Sequence, residues 1–266
     1  MSLREGITQA AGLVGSSQRL VITTGAGVSK ESGVPTFRDA LDGWWARYDP
    51  EQLATLEAFR RNPKLVWDWY EYRRGLVRAA QPNAGHYALV ALEDLVPQVA
   101  VITQNVDDLH QRAGSRDIVP LHGAIMHNKC VASCQGEPTI IDLASVGDHD
   151  PAAGPPRCPH CGAWVRPDVV WFGEALPQAH LDRATKLAEG ADVMLVVGTS
   201  GLVQPAASLP FLAKRSGAVI VEVNPNPSAI TRMADLWLQG PSGEMLPQVV
   251  RAIRDQRGEG VPRHGA

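Results

Sequence analysis

Four short runs along the chain are almost wholly apolar and rich in β-branched residues: Leu20-Val21-Ile22-Thr23-Thr24, Val99-Ala100-Val101-Ile102-Thr103, Val193-Met194-Leu195-Val196-Val197 and Val219-Ile220-Val221-Glu222-Val223. None alternates apolar with polar, so each reads as a strand buried on both faces of a parallel sheet. Stretches of helical period lie between them. From Asn83 to Leu95, residues Ala88, Leu89, Leu92 and Leu95 share one face, and a further helix is predicted from Pro205 to Lys214 with proline at its start. Strands alternating with helices predict an α/β fold built on a doubly wound parallel sheet.

Two segments break the alternation. Residues 39–81 are crowded with Trp and Tyr and carry no strand pattern, which predicts a helical insertion. Residues 126–167 hold every cysteine and a loop rich in Pro, Gly and Asp from Gly147 to Pro156, which predicts a second insertion. The sheet domain is then expected from 1–38, 82–125 and 168–266, with 39–81 and 126–167 forming a small composite domain. A length of 266 residues, against ~150 per domain, agrees with one sheet domain and an appendage. No internal repeat of solenoid period is visible.

Composition narrows the class. Hydrophobic residues at 44% and charged residues at 20% exclude a disordered or fibrous chain. A net charge of −3 implies no general polyanion surface, so no nucleic-acid partner is expected. Met1 to Ser17 lacks a long apolar core behind a basic head and contains Glu5, and no run approaches the ~18 apolar residues of a membrane span. A cytoplasmic location without membrane association is the expectation. In that reducing setting, clustered cysteines favour metal or redox work over disulfides.

Cys130 and Cys134, then Cys158 and Cys161, form two pairs on two knuckles. That pattern suits a closed tetrahedral thiolate site for one structural Zn²⁺, with His127 or His160 as substitute ligands. The first pair is C-x₃-C and the second C-x₂-C.

Candidate chemistry lies where strands end. The first strand runs into Gly25-Ala26-Gly27-Val28-Ser29, a glycine turn suited either to simple chain reversal or to close approach of a pyrophosphate. The dehydrogenase fingerprint is not met, because Lys30 holds the place of its third glycine and Trp44-Trp45 stand where a strand with an acidic end is needed. The second strand runs into Gln104-Asn105-Val106-Asp107-Asp108-Leu109-His110, which fits a helix cap or a ligand site at the carboxyl edge of the sheet. His122 follows a short apolar stretch and suits either a packed core or a proton-transfer role.

Taken in order, Gly25-Ala26-Gly27-Val28-Ser29, Gly33-Val34-Pro35-Thr36-Phe37-Arg38, Gln104-Asn105-Val106-Asp107, His122-Gly123, the cysteine pairs, Trp171-Phe172-Gly173-Glu174 and Gly198-Thr199-Ser200 resemble the sirtuins, NAD-dependent protein-lysine deacylases. The likeness runs from about residue 19 to about residue 250. It implies a Rossmann-type NAD-binding domain, a zinc-bearing small domain, and a cleft between them that takes NAD and an acyl-lysine substrate. It also implies that Gly25, Ala26 and Gly27 cradle the pyrophosphate. Ser29, Phe37, Arg38, Gln104, Asn105, Val106 and Asp107 would surround the ribose and nicotinamide. Gly198, Thr199, Ser200, Asn224, Pro225, Asn226 and Ser242 would lie near the adenosine half. His122 is implied as the general base that activates a ribose hydroxyl, with Asn105 beside it, and NAD is consumed with release of nicotinamide and O-acyl-ADP-ribose. The protein substrate is expected as an added strand between Phe172-Gly173-Glu174 and Gly201-Leu202-Val203.

Within the helical insertion, Tyr70 and Arg73 stand three apart and project from one helix face, and Arg74 is a same-face alternative at four. The Tyr-x-x-Arg pair is similar to that of class III sirtuins, which implies recognition of the distal carboxylate of succinyl, malonyl or glutaryl groups, with acetyl a further substrate. Ala54 would leave room for the longer chain. Gln204 and Asn226 depart from that pattern. ADP-ribosyl transfer onto a protein, and a non-catalytic NAD-sensing module, are the alternative functions; the oligomeric state is not legible.

Overall fold

A computed structural model describes residues 2–36, 46–147 and 150–259. Phe37 and Arg38, expected in the cofactor site, lie outside the described residues. In chain order the first elements are α1 (Leu3–Ser16), β1 (Arg19–Thr24), α2 (Gly27–Lys30), α3 (Pro50–Leu53), α4 (Leu56–Arg61), α5 (Pro63–Ala79) and α6 (Ala84–Leu92). There follow β2 (Gln98–Thr103), α7 (Leu109–Ala113), β3 (Ile118–Pro120), β4 (Gly123–Cys130) and β5 (Val165–Val169). The chain continues with α8 (Gln178–Gly190), β6 (Val193–Val197), α9 (Leu209–Arg215), β7 (Val219–Asn224), β8 (Leu236–Gln239) and α10 (Ser242–Gln256).

The parallel sheet expected from the four apolar runs is present, with strand order β3-β2-β1-β6-β7-β8. Each run is buried almost throughout because helices cover both faces. One face packs on α1, α6 and α10 through Ile7, Val14, Leu89, Leu92, Leu246 and Ile253, and the other on α8 and α9 through Ala184, Ala188, Leu209 and Ala213. Strand order reverses at β1/β6, so the crevice for a ligand opens beyond their carboxyl ends.

Two helix boundaries differ from expectation. α6 ends at Leu92, and Leu95 is buried from a following turn that closes back onto the Leu92 carbonyl. The segment after Pro205 opens as a 3₁₀ turn over Ala206–Ser208, and the α-helix starts only at Leu209, beside Pro210 in its first turn.

The small domain consists of α3, α4 and α5 against the antiparallel pair β4/β5. Its core joins Leu53, Phe59, Trp69 and Tyr70 to Ile125, Val169 and Trp171. Arg74 staples α5 to β4. Its guanidinium is 2% exposed, and it donates to the carbonyls of Ile125 (2.6 Å) and His127 (3.1 Å), to Asn128 Oδ1 (2.6 Å) and to Glu71 Oε1 (2.5 Å).

Beneath the carboxyl ends of β1 and β2, His86 and His110 lie with ring centroids 5.0 Å apart. His110 Nε2 is 3.0 Å from Thr24 Oγ1, and His86 Nδ1 accepts the Asn83 N–H at 3.3 Å. Burial lowers the pKa of His86 to about 4 and that of His110 to about 3, the latter with help from the neighbouring imidazole. Unfolded imidazoles titrate near 6.5, so below that pH the unfolded chain binds protons that the folded chain refuses. Stability from this pair is complete above about pH 6.5 and is lost progressively as pH falls toward the folded values. The urea midpoint is expected to drop steadily between about pH 7 and 5. His86→Gln, which keeps an acceptor for the Asn83 N–H, is expected to remove roughly half of that slope; an unchanged slope would refute the assignment.

Candidate active site

At the β1/β6 switch point two backbone turns touch. The Gly27 N–H donates to the Gly198 carbonyl at 2.9 Å, and a Cβ on Gly27 would lie 2.6 Å from that oxygen. These glycines are therefore required by turn-on-turn packing, which seats the start of α2 over the sheet edge. Ser29, in α2, is buried and donates to Asp107 Oδ2 at 2.9 Å. With its one hydrogen spent there, the Ser29 hydroxyl accepts from Asn105 Nδ2 at 3.1 Å. This relay settles the Asn105 amide with its carbonyl oxygen turned away from Ser29. Asp107 is pushed up in pKa by burial, while the Leu109 N–H and the Ser29 hydroxyl pull it back down.

Gln104 and Val106 flank the relay. Gln104 Nε2 donates to Thr199 Oγ1 at 3.2 Å, and Asn224 Nδ2 donates to the Thr199 carbonyl at 2.8 Å, so the ends of β2, β6 and β7 are tied across the crevice. The Val106 carbonyl accepts the Ile125 N–H at 2.8 Å. Ser200 is half-buried beside Thr199, and Pro225 and Asn226 are exposed on the loop after β7. Ser242 is buried at the start of α10, with its hydroxyl on Glu31 Oε1 at 3.1 Å. Glu31 also takes the Gly243 N–H at 2.9 Å; no sequence signal marks it, because its partner lies more than two hundred positions away.

His122 stands between the two domains. Its Nδ1 is 2.9 Å from the Gln104 carbonyl, an acceptor only, so Nδ1 carries the hydrogen and Nε2 keeps its lone pair. Its own carbonyl accepts the Val170 N–H at 2.9 Å. Gly123 follows because φ is +82° and a Cβ would clash with the Asp168 carbonyl oxygen. Burial lowers the His122 pKa, and the Gln104 carbonyl partly restores it.

Phe172, Val203 and Leu202 are exposed, at 46%, 37% and 60%. The Phe172 N–H donates to the Ala54 carbonyl at 2.9 Å, and Ala54 itself is buried. Gly173 turns the chain at φ +84°. The Glu174 carboxylate is occupied internally: it takes Arg166 Nη1 and Nη2 at 2.5 and 2.9 Å and the Trp171 N–H at 2.9 Å. Any peptide contact at Glu174 is thus left to its backbone carbonyl.

Tyr70 is fully buried, and its hydroxyl accepts from Trp171 Nε1 at 2.8 Å. The Arg73 guanidinium carbon lies 5.1 Å from the Trp69 ring centroid and 5.7 Å from that of Tyr70. Burial lowers the Arg73 pKa, opposed by Tyr70 and then Asp107. Arg74, the alternative partner for Tyr70, is engaged on β4 and Glu71 through four hydrogen bonds.

The four cysteines converge. All Sγ atoms lie within 4.8 Å of one another, with 3.5 Å between Cys130 and Cys161 and 3.8 Å between Cys134 and Cys158. Tetrahedral Zn–S bonds of ~2.3 Å separate sulfurs by about 3.8 Å, so the cluster fits one Zn²⁺. His127 and His160 are not part of this cluster; the extra residue of the C-x₃-C knuckle is absorbed at Ser133, where φ is +47°.

A family model described as the Sir2 family matches residues 25–205. An "NAD-dependent protein deacylase" of Pyrococcus abyssi is 53% identical over 93% of this chain and 98% of its own length. A crystal structure of a Sir2 homolog–NAD complex superposes with a TM-score of 0.84 at 46% identity, covering 93% of this chain and 94% of the other. A Sir2–p53 peptide–NAD⁺ structure superposes with a TM-score of 0.80 at 31% identity, covering 98% of this chain and all of the other.

About one zinc per purified chain is expected by elemental analysis. Cys158→Ser is expected to lose that zinc together with several kcal/mol of unfolding free energy, since metal binding and folding of the knuckle are one process. Retention of stoichiometric zinc in the variant would refute the four-thiolate site.

Proposed function

The chain belongs to the Sir2 family and is an NAD-dependent protein deacylase, and on that premise we propose that it removes acidic acyl groups, namely succinyl, malonyl and glutaryl, from protein lysines. The observation that carries this reading is the Tyr70/Arg73 pair, a buried phenol and a half-buried guanidinium on one face of α5. A planar guanidinium matches a carboxylate through two charge-assisted hydrogen bonds, and a phenol beside it adds a third donor. Arg74 is committed elsewhere, holding β4 and Glu71 through four hydrogen bonds.

In this reading NAD, when bound, supplies the ADP-ribosyl group that receives the acyl chain as nicotinamide departs. Gly25, Ala26 and Gly27 present the turn for the pyrophosphate; Thr199, Ser200, Asn224 and Ser242 stand on the adenosine side. Asn105 is oriented by Ser29 and Asp107 so that its carbonyl oxygen meets the ligand. His122 Nε2 holds the lone pair that takes a proton from a ribose hydroxyl. Phe172, Leu202 and Val203, all exposed, are assigned to an extended peptide.

On one peptide, the succinyl form is expected to exceed the acetyl form in kcat/KM. Arg73→Met is expected to lower succinyl turnover roughly ten- to a hundredfold, as for a lost hydrogen bond to a charged group, and to change acetyl turnover by no more than about threefold. Preference of the wild type for acetyl would refute the acidic-acyl reading. Because burial lowers the His122 pKa, the acid limb of kcat/KM is expected below pH 6.5, and His122→Ala is expected to lose about 10²–10⁴-fold in rate. An acid limb above that pH would contradict the assigned base.

A further inference from the structure

Trp171 opens the Trp171-Phe172-Gly173-Glu174 motif, in which residue order assigns it no role of its own. It is 1% exposed, and its indole is held on three sides. Arg166 lies over one face with the guanidinium carbon 3.3 Å from the ring centroid, Phe59 packs at 5.3 Å, and the Trp171 backbone N–H, donating to Glu174 Oε2, fixes the chain that carries the ring. Arg166 is itself fixed by Glu174 and by the Val169 carbonyl at 2.7 Å. The indole Nε1 thus points in a direction set by the cleft wall, and it points at Tyr70 Oη, 2.8 Å away.

That contact decides what Tyr70 can do. A phenol has one hydrogen to donate and lone pairs to accept with, while an indole N–H only donates. Tyr70 therefore accepts from Trp171, and its own hydrogen is directed elsewhere. Arg73, the charged group beside it, is also donor-only. Phenol, indole and guanidinium together are a set of donors, the chemistry that a carboxylate complements.

We propose that Trp171 is the positioning residue for acidic-acyl recognition: its indole N–H holds the Tyr70 hydroxyl as a hydrogen-bond donor aimed with Arg73 at the distal carboxylate. The inference rests on the acidic-acyl reading and adds to it the residue that orients the phenol. An acetyl group has no distal carboxylate, so the contribution of Trp171 is confined to charged acyl chains.

The test compares succinyl and acetyl versions of one peptide with the wild type, Trp171→Phe, Tyr70→Phe and the double variant. Trp171→Phe is expected to raise KM for the succinyl peptide about three- to tenfold, the scale of one hydrogen bond, with kcat and acetyl turnover within about twofold. The double variant is expected to match Tyr70→Phe within about twofold, because the indole acts through the hydroxyl. Incorporation of 3-benzothienylalanine at position 171 keeps the bicyclic shape and removes only the N–H, and it is expected to reproduce the succinyl-specific loss even if the Phe variant folds poorly. Equal losses on both peptides with the isostere, or a full succinyl preference retained by it, overturn the proposal. If the wild type itself favours acetyl, the acidic-acyl reading and this inference fall together; if the wild type favours succinyl and the isostere does too, only this inference falls.

Discussion

Between Gly27 and Gly198 there is no room for a side chain, and that steric constraint organises the cleft. The first turn after β1 and the end of β6 share backbone contact at the switch point of the sheet. Seating α2 there brings Ser29 over the end of β2, where Asp107 and Asn105 complete a relay of hydrogen bonds. The same strand ends carry Thr199 and Asn224, so β2, β6 and β7 enter the crevice as one polar rim. A Cβ at either glycine would push α2 away and unfasten that relay at its first link.

The opposite wall depends on two buried arginines with different tasks. Arg74 satisfies backbone carbonyls and Asn128 on β4, welding α5 to the zinc-bearing hairpin. Arg166 stacks on Trp171 and grips Glu174, which stiffens the loop between them. Guanidinium suits both places because its fixed fork reaches several acceptors at once and its face packs on aromatic rings. His122 lies at the seam, with its ring fastened to Gln104 of the sheet domain and its carbonyl to Val170. Relative placement of the two domains therefore sets the position of the His122 ring.

Much of this was legible from residue order. Continuous apolar runs marked β1, β2, β6 and β7, since strands covered on both faces need no polar alternation. Cysteine spacing marked the thiolate cluster, because two knuckles closing on one ion leave a local imprint. The glycine turn was visible, but the reason for it was not: a dinucleotide cradle and a tight backbone crossing look alike in sequence, and the crossing partner Gly198 lies far along the chain. Helix ends were also blurred, as at Leu92 and Leu209, where turns of 3₁₀ type continue the helical pattern.

Residue order alone thus set the fold class, the thiolate cluster and the segments that meet at the cleft, because periodicity and short spacing are local properties of the chain. Tertiary structure decided which side chains are available. Tyr70 stands three residues from Arg73 and four from Arg74, and helical spacing favours neither. Only the packing of α5 on β4 consumes Arg74 and leaves Arg73 beside the phenol. Likewise, only the meeting of α5 with the end of β5 brings the Trp171 indole to the Tyr70 hydroxyl. Hydrogen-bond availability depends on partners distant in sequence, and those are specified once the chain has packed.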